Sequence, residues 1–137
     1  MTTPALGSIL LGTTNPHRLR DWYAAALAPG DGGEAFTEVT PTMFAGTFGD
    51  TSVLIDGRSD VADKNPDPGR VILNFHVDDI RTAEARLVGL EAVWVRELER
   101  TRWGIIGTVL DLDGNYVQIV EPAPDSPPCL QRKEEHP

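Results

Sequence analysis

Residues 111–122 read DLDGNYVQIVEP, and the fold is decided here. Asp111-Leu112-Asp113-Gly114-Asn115 is a turn signal, because short acidic side chains accept backbone N–H groups and glycine tolerates the left-handed region. Tyr116 to Val120 follows as one strand, and Gly104 to Leu110 precedes it as another, so the stretch reads as a hairpin. Further upstream, Val71 to Val77 (VILNFHV) reads as a strand, and Asp78-Asp79 as a helix cap. Ile80, Ala83, Leu87 and Leu90 then recur at helical spacing, with Gly89 near the end of that helix. Ala92 to Leu98 completes the set. The segment from 71 to 122 therefore spells βαβββ.

The first half spells the same order. Leu6 to Thr13 is short and aliphatic enough for a strand, and Asn15-Pro16 pairs a good N-cap with proline at the first helical position. Leu19, Trp22, Tyr23, Ala26 and Leu27 form one apolar helix face, with Arg18, Arg20 and Asp21 on the other side. Pro29 to Gly33 ends the helix. Phe36 to Thr40, Met43 to Phe48 and Ser52 to Ile55 are three short β-like runs bounded by turn residues. One constant offset lays Asn15 on Asp79, Leu11 on Phe75, Tyr23 on Leu87, Val53 on Val117 and Ile55 on Ile119. Residues 56–70, DGRSDVADKNPDPGR, are polar and rich in breakers, as a surface loop is.

A single βαβββ unit leaves one sheet face uncovered, so a duplicated unit predicts an α+β fold. Two modules, about 6–56 and 71–122 with a linker at 57–70, form a curved, open barrel-like mixed sheet with a cleft on its concave side. Together they make one domain over 1–122. The Pro-rich remainder, 123–137, is expected to be a mobile tail.

Length and composition limit the function. The sequence of 137 residues suits one domain, and 40% apolar with 24% charged residues excludes wholesale disorder. No apolar run approaches the roughly 20 residues of a membrane helix. The N-terminus lacks the basic and small-residue features of a signal peptide. Twelve basic against 21 acidic residues, a net charge of −9, argues against nucleic acid and anionic membranes as partners. A neutral or cationic ligand suits that charge better. Cys129 is the single cysteine, so no internal disulfide forms, and a cytoplasmic location is expected.

The duplicated order, Trp22-Tyr23, FHVDDI at 75–80, Trp103-Gly104 and DLDGNYVQIVEP together resemble the vicinal oxygen chelate superfamily. That superfamily includes glyoxalase I, extradiol dioxygenases, and fosfomycin- and bleomycin-resistance proteins. The resemblance spans residues 6–122 and implies paired βαβββ modules, commonly in homodimers. It also implies that catalytic members hold a divalent metal through His, Glu or Gln, at positions matching Ser8, Leu54, Ile72 and Gln118. Leu54 and Ile72 offer no donor atom, and one amide with one hydroxyl does not hold a divalent cation. Moving the register by one residue brings in Gly7, Ile9, Val71 or Leu73, none of which is a ligand. No metal and no other cofactor is therefore expected.

Alternation assigns Ser8, Leu10 and Gly12 to one strand's cleft face, Ile72, Asn74 and His76 to another's, and Tyr116, Gln118 and Val120 to a third's. Trp94 and Trp103 are added as aromatic walls for a planar or cationic ligand, with Phe44 or Phe48 as further candidates. Trp103 gains from Gly104, which would leave room beside the indole. The ligand-binding set is thus Ser8, Leu10, Asn74, His76, Trp94, Trp103, Tyr116 and Gln118. His76 is the one candidate general base, against the plainer reading of a histidine held by local backbone. His17 reads as surface, His136 as tail, Trp22 and Tyr23 as core, and Asp78, Asp79, Asp111 and Asp113 as capping and turn residues.

These features favour a small-molecule binding protein without the family metal, sequestering a drug or natural product as a homodimer. Two alternatives stay open. One is a lyase, isomerase or dioxygenase with a displaced metal site or metal-free acid/base catalysis at His76. The other is a paralogue whose ligand is a common metabolite or a partner protein.

Overall fold

The computed structural model describes residues 3–27 and 36–126. The chain divides into two units between Pro66 and Asp67. The first contains β1 (Ser8–Thr13), α1 (Pro16–Leu27), β2 (Thr37–Thr40), β3 (Met43–Phe48) and β4 (Thr51–Gly57). The second contains β5 (Leu73–His76), α2 (Ile80–Gly89), β6 (Val93–Thr101), β7 (Gly104–Leu110) and β8 (Tyr116–Pro122). Each unit is thus a βαβββ module in an α+β chain. The sheets are not closed, and their ladders form two four-stranded sheets, ordered β1-β4-β3-β2 and β5-β8-β7-β6. Both are mixed: β1 runs parallel to β4, and β5 to β8, while the remaining pairs are antiparallel.

The two helices start by different chemistry. In the first module, Asn15 Oδ1 accepts from Arg18 N at 3.2 Å, and Pro16 opens α1 with no N–H to satisfy. The Pro16 ring lies against Gly57, where an added Cβ would sit 3.2 Å from Pro16 Cγ. In the second, Asp79 Oδ1 accepts from Arg81 N and Oδ2 from Thr82 Oγ1. The Thr82 hydroxyl, and after it the Arg81 amide, hold the Asp79 carboxyl below its ordinary range. Ile80 has the N–H that Pro16 lacks, and Glu121 Oε1 accepts it at 3.1 Å.

Each helix buries one stripe on its sheet: Leu19, Trp22, Tyr23 and Ala26 from α1, and Ile80, Ala83 and Leu87 from α2. Ile55 and Ile119, central in β4 and β8, are fully buried beneath them, each contributing roughly 2 kcal/mol through removal from water. The neighbouring strands fill the same space in opposite ways. Phe44 pairs with Ile55, and its ring meets His17 edge-on at 5.2 Å and the Arg20 guanidinium at 4.4 Å. At the matching place beside Ile119 stands Gly107, whose missing side chain is replaced by Leu98 and Trp94 from β6. Two residues on, the roles reverse. Gly46 admits the Phe36 ring, whereas Val109 fills its own site.

Several boundaries differ from expectation. β5 is shorter than Val71 to Val77, because Val71 and Ile72 have no ladder partner and Val71 is exposed. β6 runs on to Thr101, absorbing its charged residues at the sheet edge through two register shifts around Arg96. Past Pro122, Ala123 N donates to Trp103 O at 2.9 Å, and buried Ser126 donates to Ala123 O. Residues 123–126 thus form a turn against the β6–β7 connection. The expected helix terminator at Pro29–Gly33, the tail from 127 onward, Cys129 and His136 lie outside the described residues.

Candidate functional site

On the face of each sheet opposite its helix lie Ser8 and Leu10 in the first module, and Asn74, His76, Tyr116 and Gln118 in the second. In the first, β1 places Ser8, Leu10 and Gly12 there, in register with Ser52, Leu54 and Asp56 of β4 and Thr47, Ala45 and Met43 of β3. The middle row, Leu10–Leu54–Ala45, is aliphatic. Arg58 covers the Gly12 end, where an added Cβ would lie 2.6 Å from Arg58 Cδ. The Arg58 guanidinium grips Asp60 at 2.8 and 2.7 Å and lies 3.7 Å from Asp56. The paired charges raise the Arg58 pKa and lower that of Asp60, chiefly through their hydrogen bond. Thr14 Oγ1 donates to Asp63 Oδ1 at 2.9 Å and ties the same loop to the start of α1.

In the second module the middle row is polar: Asn74, Gln118 and Thr108 stand abreast on β5, β8 and β7. The next row is His76, Val120 and Ile106, and on the other side Tyr116 stands beside Leu110, with Ile72 just ahead of β5. Thr108 Oγ1 donates to Gln118 Oε1 at 3.2 Å. Among the described residues, no hydrogen bond or ion pair engages the Asn74 or His76 side chain. Asn74 is exposed, His76, Tyr116 and Gln118 are half-buried, and Thr108 is buried. The face therefore presents amide, imidazole and phenol groups over an aliphatic floor.

Four of the expected aromatic contributors are elsewhere. Trp94 lies on the helix side, where with Leu98, Glu97, Arg81, Glu84 and Val88 it lines a groove of about 250 Å³ between β6 and α2. Phe44 and Phe48 share the helix side of β3, Phe48 stacking edge-on with Phe36. Trp103 sits in the turn between β6 and β7, with the Arg102 guanidinium 4.6 Å above its ring. Gly104 makes room for backbone and not for the indole. Its φ is +132°, and an added Cβ would fall 2.1 Å from the Glu121 carbonyl oxygen. Among the described residues, Tyr116 is the one Phe, Tyr or Trp ring that strand alternation puts on the helix-free face.

The turn ahead of β8 is built as its residues dictate. Asp111 Oδ1 accepts from Asp113 N and Asn115 N, its Oδ2 accepts from the Asn115 amide, and Gly114 takes φ +77°. This knot fixes where β8 begins, and so which face Gln118 occupies. Thr108 escaped notice in the sequence. The available signal was that it carries the single polar side chain of GIIGTVL.

Residues 8–120 match the family described as glyoxalase-like domain. The chain belongs to that family, within the vicinal oxygen chelate superfamily. Solved structures agree on the fold of this glyoxalase-like domain. A glyoxylase/bleomycin resistance protein/dioxygenase domain from Frankia sp. EAN1pec superposes with TM-score 0.70 at 16% identity, covering 89% of this chain and 100% of that one. TnmS3, an antibiotic binding protein from Streptomyces sp. CB03234, gives 0.68 at 19% identity, covering 90% and 99%. Lactoylglutathione lyase from Agrobacterium tumefaciens gives 0.64 at 18%, covering 88% and 96%. No curated protein matches the sequence at a significant level.

At the positions where the superfamily resemblance implies metal ligands, this glyoxalase-like domain has a hydroxyl at Ser8, hydrocarbon at Leu54 and Ile72, and an amide at Gln118. That set does not fit a divalent cation, which needs three or four imidazole, thiolate or carboxylate donors. Among the described residues, no three His, Cys, Asp or Glu side chains are grouped to hold a metal elsewhere.

Proposed function

We propose that this glyoxalase-like domain binds a small molecule without the family metal, sequestering a drug or natural product. The observation that carries the reading is hydrocarbon at Leu54 and Ile72, where a metal site would need donors. The polar row Asn74–Gln118–Thr108 supports it, because neutral amides and hydroxyls orient a ligand without activating it. Among neighbours in fold, TnmS3 is an antibiotic binding protein. Each module is read with its own candidate face, Ser8 and Leu10 on the first, and Asn74, His76, Tyr116 and Gln118 on the second. The ligand is neutral or cationic, in keeping with the charge of −9. Metal-free catalysis at His76 is less favoured, since among the described residues no carboxylate orients its ring. The working unit in this reading is a homodimer, as is common in the superfamily, and its location is cytoplasmic. No described helix is long and apolar enough to cross a membrane.

Elemental analysis tests the reading most directly. Untagged protein is dialysed separately against Ni, Mn, Zn and Fe(II), then desalted. Retention of every metal below about a tenth of an equivalent is expected. Near-stoichiometric retention of one metal would overturn the proposal in favour of metal-assisted catalysis.

A further inference from the structure

An amide side chain has two ends of opposite sense, an accepting oxygen and a donating nitrogen. In Gln118 the oxygen is committed, because Oε1 accepts from Thr108 Oγ1 at 3.2 Å. Thr108 is only 5% exposed, and among the described residues its hydroxyl proton has no acceptor besides Oε1; a reversed amide would leave that proton unpaired, which favours this sense. Nε2, with two donors, is left for a ligand, and among the described residues nothing accepts from it. A cation at this amide would have to share Oε1 with the Thr108 hydroxyl, whereas Nε2 is open to an acceptor.

We infer that Gln118 recognises an acceptor oxygen of the ligand, of the ketone or quinone type, through Nε2, with Thr108 as the positioning residue. Asn74, beside Gln118 in the same row, adds a second amide, while Val120 and Ile106 supply apolar contact in the next row. The ligand class is a compact apolar body with a carbonyl at its edge. This rests on the small-molecule reading above and specifies its polarity.

The test is side-chain amide NMR of the full chain, with Gln118 assigned by the signals lost in Gln118→Glu. Indanone and indane, alike in shape except for the carbonyl, are titrated to their solubility limits. Expected is a shift of the Gln118 NH2 signals with indanone and none with indane. Gln118→Glu, which puts an acceptor against the carbonyl, weakens indanone about tenfold more than it weakens indane. Thr108→Val weakens indanone similarly, and Thr108→Ser restores it. Equal perturbation of backbone signals on β5 and β8 by both compounds, with the Gln118 amide unmoved, overturns the donor role but leaves small-molecule binding standing. No perturbation by either compound overturns both readings. Selective broadening of the Gln118 amide by one equivalent of Mn(II) also overturns both.

Discussion

The middle row of the helix-free face is Leu10–Leu54–Ala45 in the first module and Asn74–Gln118–Thr108 in the second. On the opposite side of the same sheets the modules differ in another manner. Phe44 with Gly46 in one corresponds to Gly107 with Val109 in the other, and Phe36 or the Trp94–Leu98 pair fills the glycine sites. Under the helix, then, bulk moves from strand to strand while the space stays full, as close packing requires. Away from the helix no such conservation holds, and hydrocarbon has been exchanged for hydrogen-bonding groups. One side of each sheet is held by volume, and the other is free to specialise.

The sharpest break in this comparison comes from Gly104, which sets β7 against the end of β8. Gly104→Ala places a methyl against the Glu121 carbonyl at a positive φ, and a loss on the order of 4 kcal/mol is expected in denaturant unfolding. A change below about 1 kcal/mol would show that the backbone there moves freely. Next comes the exchange of bulk. Phe44→Ala should cost about 3 kcal/mol by opening a cavity under α1, whereas Gly107→Ala should cost about 1 kcal/mol, since Leu98, the nearer neighbour, can shift at its flexible end. Equal costs would mean that the two modules do not divide their volume as described.

The smallest effect separates the helix caps by pH. Asp79 has a depressed pKa in the folded chain, so its contribution is present above the ordinary carboxyl value of about 4 and fades as pH falls through the lower folded value. Asn15, its counterpart, does not titrate. Hydrogen exchange should show the first turn of α2 losing protection in acid, at pH values where the first turn of α1 has not changed. Simultaneous loss in both would remove Asp79 as the cause.

The repeat was legible because Asn15-Pro16 and Asp78-Asp79 are strong caps, and because the apolar stripes at 19–26 and 80–87 keep helical phase. Met43 to Phe48 and Gly104 to Leu110 have the expected limits, since the Pro41-Thr42 and Arg102-Trp103 turns precede them and Gly49-Asp50 and Asp111 end them. The polar row was partly legible: alternation put Asn74 and Gln118 on one face, but Thr108 was passed over inside an apolar strand. Trp94 went astray because β6 is an edge strand with register shifts, where alternation alone does not reveal the face. The space beside Gly104 was foreseen but not its occupant, because a strand's partner backbone is a long-range contact that local sequence does not encode.

The two helix starts have a consequence for how the halves can change. Pro16 lacks a donor and faces Gly57; Ile80 has one and faces the Glu121 carboxylate. Proline at 80 would strip Glu121 of its bond, and isoleucine at 16 would present an N–H to a residue with no side chain to receive it. Only a simultaneous pair of changes converts one arrangement into the other, because either single step leaves an orphaned polar group near a helix end. The modules have become non-interchangeable parts: a half transplanted whole keeps its cap, but a splice between Pro16 and Gly57, or between Ile80 and Glu121, does not.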